Sequence, residues 1–502
     1  MGKMNSILIT LILTFFILVS FTCSSLPEIT KLIPSNTNIE NTQPKETRVM
    51  VATTGQGYTR VSLSIKGDQL NGPSYYATIS DDGRYIAFKH WNLTGKPQDD
   101  MGSGLPIYDR IAKKLITLAD VDYPEKYLIP PDLISFSANG RYIAFSSKNS
   151  TLVSNDINAF AKDIFVRDMQ NNTTTMVSLG SINEQGTYDS GNPHISADGR
   201  YVSFETANIL LVQGNLFPGY NTYYAGGSFN HVFVRDVQAN VTHLVSAAYE
   251  LSQGIDWACY HSRMSADGRY VVFDSPATNI IPDDNNGNDG DVFMRDLKQN
   301  KTTLVSVASN GAQANNSSSE PSVSADGRYI LFESEATNLA QNMVYDGQPN
   351  LFIRDLMNNT TKLVVTNFGG IRDRKLVANK TADGIPMFPR ISGDGRYVTF
   401  LLTKGTDIRT FDVVLHDVTT NLSTRLASGT CKIEDISRYA PSISYNGTVA
   451  FASDQENLIS GDTNGQTDIF VFYHNVPMQP PTQSPSQETM KPQLINPPLR
   501  QK

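Results

Sequence analysis

The sequence predicts an all-β fold, a β-propeller of seven four-stranded antiparallel blades, and two observations lead there. The turn SADGRY occurs from Ser196, Ser265 and Ser324, and the related turns SDDGRY, SANGRY, SGDGRY and SYNGTV begin at Ser80, Ser137, Ser392 and Ser444. Around every copy the same short apolar runs recur, with a spacing of about 60 residues between copies. Seven copies of one small β unit indicate a repeat architecture.

One repeat contains four strand-sized runs rich in β-branched and aromatic residues. They are HIS (194–196), YVSFET (201–206), HVFVRDV (231–237) and THLVSA (242–247). The first two runs are joined by Ala-Asp-Gly-Arg, in which Gly accepts positive φ and Asp can bond the turn backbone, so a hairpin is predicted. A lone sheet of four strands leaves two edges and two faces exposed, and radial packing of copies removes that exposure.

The ends of the repeat region predict how the ring closes. After the seventh turn the chain supplies TVAFAS and then DIFVFYH (468–474), which leaves the last blade without a fourth strand. At the other end YTRVSLS (58–64) is similar to the fourth strands TTMVSLG and TTLVSVA. We therefore expect the N-terminal strand to complete the last blade, with the propeller spanning residues 58–475.

The repeat also resembles a known family. Its pattern is Ser-x-Asp-Gly-Arg-Tyr-x-x-Phe, then a strand ending in Val-Arg-Asp, then Thr-x-Leu-Val-Ser, and it resembles the WD-repeat-like β-propeller repeat of TolB-type proteins. The resemblance covers about four fifths of the chain. It implies a propeller of the kind found in exported envelope proteins, but a shared fold does not by itself imply a function.

The segments outside the propeller predict export. Residues 1–23 hold one Lys, an apolar run and small residues, as in a secretory signal, and the run is short for a membrane-spanning helix. Cys23 is a candidate for lipidation, and an uncleaved N-terminal segment is the alternative membrane tether. Residues 24–57 are predicted to be a flexible tether and 476–502 a Pro-rich disordered tail. We expect a periplasmic or extracellular protein of the cell envelope.

Composition excludes one class of partner. The 502 residues carry 41 Lys and Arg against 49 Asp and Glu, a formal charge of −8, so no basic field exists to bind nucleic acid. Cys259 and Cys431 lie two blades apart, and a disulfide between them is not expected. The turn aspartates and the arginines that end the third strands are predicted to form structural ion pairs between blades.

Two loops between second and third strands are candidate calcium sites, although no cofactor is otherwise predicted. DDNNGNDGD (283–291) and DTNGQTD (462–468) alternate short oxygen-bearing side chains around a central Gly, a pattern that can bring several oxygens to Ca²⁺. The candidate ligands are Asp284, Asn286, Asp291, Asp462, Asn464 and Asp468. The alternative is that Asp, Asn and Gly are simply favourable loop residues.

Candidate binding residues lie on the propeller face opposite the DG turns, which we call the loop face. Variable loops on a rigid scaffold usually carry binding, and aromatic residues and Arg favour interfaces. The candidates are Tyr75, Tyr76, Tyr188, His194, Trp257, Tyr260, His261, Arg263, Arg390, Arg438 and Tyr439.

The sequence therefore favours an exported, non-catalytic propeller that binds a protein or glycan partner at the cell envelope through its loop face. No catalytic motif is recognised, and no catalytic residue is assigned. The alternative is a glycoside hydrolase or lyase that uses carboxylates at the loop face, for which Asp189, Asp256 and Glu320 are the candidates.

Overall fold

Seven four-stranded antiparallel sheets arranged in a ring make up the computed structural model of this chain. The structure describes residues 49–51, 57–64, 66–91, 104–118, 134–158, 161–208, 211–212, 229–250, 254–341, 348–364, 384–405 and 407–474. The predicted fold class, a seven-bladed all-β propeller, is confirmed.

The strands follow one another as the repeat predicts. In chain order they are β1 (Val49–Val51), β2 (Tyr58–Arg60), β3 (Ser74–Ile79), β4 (Tyr85–His90), β5 (Leu105–Asp109), β6 (Lys114–Leu118), β7 (Ile134–Phe136), β8 (Tyr142–Ser147), β9 (Asp163–Asp168), β10 (Thr173–Met176), β11 (Ser190–Ile195), β12 (Tyr201–Thr206), β13 (His231–Asp236), β14 (Val241–Leu244), β15 (Tyr260–Met264), β16 (Tyr270–Ser275), β17 (Asp291–Asp296), β18 (Lys301–Leu304), β19 (Ser318–Val323), β20 (Tyr329–Ser334), β21 (Asn350–Asp355), β22 (Thr360–Leu363), β23 (Pro386–Ile391), β24 (Tyr397–Lys404), β25 (Asp407–Asp417), β26 (Leu422–Thr430), β27 (Ser442–Ile443), β28 (Val449–Ser453) and β29 (Asp468–Phe472). A short 3-10 helix, Ile433–Tyr439, precedes β27.

Each blade is a set of consecutive strands, with one exception. Blades 1 to 6 are β3–β6, β7–β10, β11–β14, β15–β18, β19–β22 and β23–β26, and blade 7 consists of β27, β28, β29 and β2. β2 lies antiparallel to β29, with Tyr58 opposite Phe472. β1, which belongs to the segment predicted as a tether, runs parallel to β26 at the edge of blade 6.

The repeated turn links each blade to the next through its backbone. The Ala138 N–H donates to the Ala197 carbonyl of the next blade at 3.1 Å, and the Ala197 N–H donates to the Ala266 carbonyl at 2.8 Å. Equivalent bonds continue around the molecule, and the Tyr445 N–H of blade 7 donates to the Asp81 carbonyl of blade 1 at 3.0 Å. Seven such bonds, one at every junction between blades, form a closed ring. They lie at the face of the propeller that carries the DG turns, which we call the turn face.

The ion pairs of the turn differ from the prediction. The predicted pairing of turn Asp with third-strand Arg between blades is wrong, because each turn Arg pairs instead with the third-strand Asp of its own blade. Arg269 donates to both carboxylate oxygens of Asp296, at 3.0 and 2.6 Å, and its guanidinium also lies over the Tyr270 ring. The turn Asp267 instead accepts bonds from the Ser265 hydroxyl and the Arg269 N–H, which closes the hairpin.

Aromatic pairs fill the interior of the blades. Phe204 on β12 lies directly across from Phe233 on β13, and the two rings stack 5.8 Å apart with no solvent exposure. The same stacked pair occurs in blades 2, 4 and 5 at 5.6 to 5.8 Å. This spacing is typical of offset aromatic pairs, which add to the apolar burial that holds each sheet.

Several predicted segments lie outside the described residues. They are the signal at 1–23 with Cys23, most of the tether, and the Pro-rich tail at 476–502. No helix among the described residues is long and apolar enough to cross a membrane. Cys259 and Cys431 are both free thiols.

Candidate functional site

A central cavity of about 140 Å³ runs between the first strands of all seven blades. Each first strand places one side chain into it, two residues before the serine of the repeated turn. Together they form what we call the channel ring: Thr78, Ser135, His194, Arg263, Ser322, Arg390 and Ser442. The sequence candidates His194, Arg263 and Arg390 are thus brought together in one ring, which they share with four hydroxyl residues.

A β-bulge lies two residues before the channel ring in five blades. There the residues Tyr76, Asn192, His261, Glu320 and Phe388 have φ between 49° and 58°, in the left-handed region. The strand register shifts at each of these points. Non-glycine residues rarely adopt this backbone, and such strain often marks a functional site.

The bulges of blades 3 to 5 bring together five ionisable side chains, which we call the acidic cluster: Glu205, His261, Asp274, Glu320 and Glu333. His261 Nδ1 lies 2.8 Å from Asp274 Oδ1, and its Nε2 lies 3.1 Å from Glu320 Oε1 of the next blade. Glu205 accepts bonds from the Ser262 N–H and from the Asn192 side chain, each at 2.7 Å. The cluster therefore spans three blades on the loop-face side of Arg263.

The electrostatics of the acidic cluster are unusual. Burial raises the pKa of Glu205 and of Asp274, and burial together with nearby Glu320 raises that of Glu333 well above its usual range. Burial alone would lower the pKa of His261, but the carboxylates of Asp274 and Glu320 outweigh it and raise the value. Glu333 Oε1 is buried and makes no hydrogen bond in the structure. Shifted groups collected near a cavity are typical of functional sites.

Glu205, Asp274 and Glu333 were not predicted from the sequence. They occupy the same position of the second strand in YVSFET, YVVFDS and YILFES, where other blades carry Lys89, Ser146 or Leu401. The available signal was a carboxylate at a strand position flanked by apolar residues, since a buried carboxylate needs partners to offset its desolvation. Three acids in consecutive repeats would have strengthened that signal.

Five large exposed apolar side chains lie in the loop-face connections of blades 2 to 4, and we call them the apolar sector: Ile157, Tyr188, Tyr249, Trp257 and Tyr260. All five lie between β8 and β15, in loops or at a strand start. Of the other large exposed apolar side chains among the described residues, Ile111, Met357 and Tyr445 lie in hairpins of the turn face, and Ile182 lies between Ser181 and Asn183, which bond Thr242 and Asn240 at such a hairpin. The sequence candidates Tyr188, Trp257 and Tyr260 thus belong to loops of successive blades.

The remaining loop-face candidates form a packed contact between blades 7 and 1. Tyr75 lies edge-on to Tyr439 at 5.5 Å, and the Arg438 guanidinium lies 4.4 Å from the Trp91 ring. Tyr76 and Tyr439 are buried. These residues, predicted as a ligand surface, therefore contribute to packing, because the 3-10 helix that carries Arg438 and Tyr439 packs against β3.

The three carboxylates proposed for catalysis lie in different surroundings. Asp189 is half exposed, lies near Lys148 and Lys162, and accepts the Lys162 N–H at 2.8 Å. Asp256 accepts the N–H and hydroxyl of Thr278 in a surface loop. Only Glu320 belongs to the acidic cluster.

The six calcium candidates fall into two loops at the start of third strands. Asp284, Asn286 and Asp291 precede or begin β17, while Asp462, Asn464 and Asp468 precede or begin β29. Among the described residues, no group of three or more His, Cys, Asp and Glu side chains could hold a metal ion. A cation in either loop would therefore need amide or backbone oxygens beside the two carboxylates.

Comparisons with known proteins agree with the fold. No protein-family model matches the chain, and no curated protein sequence matches it. Among solved structures, an oligogalacturonate lyase from Vibrio parahaemolyticus is 11% identical, with 84% of this chain and 95% of that chain covered and a TM-score of 0.50. TolB from Acinetobacter baumannii is 13% identical, with 79% of both chains covered and a TM-score of 0.37.

A third match is the β-propeller domain of the trilobed protease from Pyrococcus furiosus, 13% identical over 79% of this chain and 95% of that chain, with a TM-score of 0.43. At such identities the likeness concerns the fold alone. In fold the chain is a seven-bladed β-propeller. What it binds or transforms has to be argued from its own residues.

Proposed function

We propose that this protein is an exported, non-catalytic β-propeller that binds a protein partner at the cell envelope through its loop face. The observation that carries the proposal is the apolar sector, five large apolar side chains exposed in the loop-face connections of blades 2 to 4. Large apolar side chains exposed in neighbouring loops are typical of an interaction site. Export is proposed from the apolar run at the N-terminus.

The composition of the apolar sector favours a protein over a glycan. Ile157 is 82% exposed, and aliphatic side chains gain free energy by burying apolar area, which a hydroxyl-rich glycan offers sparingly. Trp257 stacks on Phe229 at 5.9 Å, which holds the indole in place as an anchor. Trp and Tyr are enriched among the residues that dominate binding energy at protein interfaces.

A pair of matched variants tests the proposed face. We expect Trp257→Ala with Tyr188→Ala to weaken binding of envelope proteins by more than about a hundredfold, since anchor truncations cost about 2 kcal/mol or more each and 1.4 kcal/mol is about a factor of ten. Tyr445→Ala is the control, because Tyr445 is 49% exposed, as Tyr188 is, but lies on the turn face. Binding to the immobilised protein is measured by quantitative mass spectrometry.

The outcomes separate the alternatives. Equal loss of binding in the Tyr445→Ala variant would contradict the proposed face. Binding of oligosaccharides is measured in parallel by calorimetry. If oligosaccharides bind and the immobilised protein retains no envelope protein, the proposed partner class is contradicted and a glycan partner is supported.

The second candidate function is a glycoside hydrolase or lyase, and the acidic cluster is the observation that favours it. A carboxyl group with a raised pKa, such as Glu333, can act as a general acid, and a second carboxylate such as Glu320 lies near it. Turnover of oligosaccharides, abolished by Glu333→Gln and retained by Asp189→Asn, would support this function. Absence of turnover with a broad set of acidic and neutral oligosaccharides would exclude it for those substrates.

A further inference from the structure

Three loops of the propeller share one arrangement of polar residues. Each carries Asp-x-Asn followed by an Asp that begins the third strand, and that last Asp accepts a hydrogen bond from a serine two residues after the fourth strand. The residues are Asp156, Asn158 and Asp163 in blade 2, Asp284, Asn286 and Asp291 in blade 4, and Asp462, Asn464 and Asp468 in blade 7. In each loop a glutamine, seven residues after the serine, lies beside the group.

In blades 2 and 7 the glutamine satisfies both carboxylates. Gln185 Nε2 donates to Asp156 Oδ1 at 3.0 Å and to Asp163 Oδ2 at 2.9 Å. In blade 7, Gln69 Nε2 donates to Asp462 and Asp468 at 2.7 and 2.9 Å. An amide NH₂ with two hydrogens thus joins two carboxylates, and the space between them is already used.

Blade 7 has a further positive group. Arg60 Nη1 lies 3.5 Å from Asp462 Oδ1 and 3.7 Å from Asp468 Oδ2. The guanidinium balances the negative charge of the pair, so a second cation there would face repulsion. In blade 7, Arg60 therefore balances the charges of Asp462 and Asp468.

Blade 4 differs at the decisive atoms. Gln313 Nε2 donates to the Asp283 backbone carbonyl at 2.8 Å and makes no hydrogen bond to Asp284 or Asp291. Asp291 is 1% exposed, and its Oδ2 has no hydrogen-bond partner, although Oδ1 accepts the Ser306 hydroxyl at 2.5 Å. The amide oxygen of Asn286 is also buried without a partner, as is that of Asn158 in blade 2, so the Oδ2 atom of Asp291 that no glutamine bonds is what distinguishes blade 4. Buried polar atoms without partners are rare in folded proteins and need an explanation.

We propose that the blade 4 loop binds a calcium ion through Asp284, Asn286 and Asp291. The two carboxylates and one amide oxygen form an all-oxygen donor set of the kind that Ca²⁺ prefers, and loop carbonyls and water complete its coordination. The ion gives Asp291 Oδ2 and the Asn286 oxygen the partner that the protein does not supply. Blades 2 and 7 carry the same sequence motif without this site, because glutamine occupies it.

The test uses the full chain and compares two loops with the same motif. We expect wild type to bind one Ca²⁺ by isothermal titration calorimetry, and millimolar CaCl₂ to raise its melting temperature. Asp284→Asn and Asn286→Ala should each weaken binding by at least about tenfold, while the matched control Asp462→Asn should bind as wild type does. Asp284 is only partly buried, so we expect the Asp284→Asn variant to fold, and circular dichroism checks this.

Two results would overturn the proposal. One is the absence of Ca²⁺ binding to the folded wild-type chain. The other is a weakening of binding by Asp462→Asn that equals that of Asp284→Asn, which would place the ion in blade 7. Retained binding in a folded Asn286→Ala variant would remove that residue from the ligand set.

Discussion

At the scale of single residues, His261 has the most informative surroundings in the molecule. Its two ring nitrogens face Asp274 at 2.8 Å and Glu320 at 3.1 Å, so both are placed to donate, as only an imidazolium can. The ring thus supplies a positive charge among four carboxyl groups of the acidic cluster. About a third of the side chain is exposed, and solvent weakens the ion pairs to that extent.

His261 should titrate well above the usual histidine range. Its folded-state pKa is raised above the unfolded value of about 6.5, so the stability it contributes is complete below that pH and declines as the pH rises towards the folded-state pKa. Imidazole NMR signals followed from pH 5 to beyond the raised pKa, which lies at about 10, measure it directly. Asp274→Asn should lower it, because one of the two carboxylates is removed.

His416 is the internal control for that titration. It is buried, accepts or donates one bond with Ser423, and burial lowers its pKa to about 4. The two histidines should therefore shift in opposite directions in the same sample. A value for His261 at or below that of a free histidine would contradict the ion-pair description.

At the scale of one element, the repeated hexapeptide is explained residue by residue. Ser265 and Asp267 close the turn by hydrogen bonds, Ala266 takes part in the ring of backbone bonds, and Arg269 pairs with Asp296. Gly268 has a φ of +72°, and a Cβ placed on it would lie 2.3 Å from the Tyr201 ring of the preceding blade. Glycine is therefore required twice, by the backbone and by the neighbouring blade.

Replacing Gly268 by Ala should destabilise the protein more than the same change at Gly311. Both glycines have positive φ, but a Cβ at Gly311 would meet nothing within 4 Å. Backbone strain of about 1 kcal/mol is common to both variants, and the clash with Tyr201 should add about 1 to 3 kcal/mol at Gly268 alone. Denaturant unfolding measures the difference.

A double variant isolates the contact between blades. The double variant Tyr201→Ala with Gly268→Ala should lose less free energy of unfolding than the sum of the losses in the two single variants. The two changes act on one contact, so their effects are not additive. Equal destabilisation by Gly268→Ala and Gly311→Ala would show that the tyrosine ring adjusts without cost.

At the scale of the whole molecule, strands from the two ends of the propeller lie side by side. β2 pairs with β29, the Tyr58 hydroxyl donates to the Leu426 carbonyl at 2.8 Å, and the Ser62 hydroxyl donates to Asp468 at 2.5 Å. Val61 is fully buried. These contacts join residues about 400 positions apart, and they connect the start of the propeller to its last two blades.

Removing β2 should destabilise the propeller more than removing the residues before it, which include only the three-residue edge strand β1. A chain that starts at residue 65 loses Tyr58 and Val61, each worth about 1.5 to 3 kcal/mol of apolar burial, and exposes the edge of β29. We expect a melting temperature several degrees lower and faster aggregation than in a chain that starts at residue 57. Equal melting temperatures would show that β2 contributes little to stability.

The sequence by itself determined the blade count, the four-strand unit and the hairpin turns, because these depend on local periodicity and turn chemistry repeated seven times. It also placed His194, Arg263 and Arg390 on the loop-face side of their turns, and the ring then brought them together. The predicted arginine partners were wrong, since Arg269 has one acid in its own turn, Asp267, and another at the end of the third strand, Asp296, and only the register of β16 against β17 decides between them.

Only the tertiary structure decided which candidates face solvent and which are buried. Tyr76 and Tyr439 are covered by contacts between the first and last blades, and Glu205, Asp274 and Glu333 meet His261 because bulges turn the first strands of neighbouring blades. The three Asp-x-Asn loops are alike in sequence, yet a glutamine from a separate loop satisfies two of them and not the third. Such differences depend on contacts between distant segments, which no local pattern records.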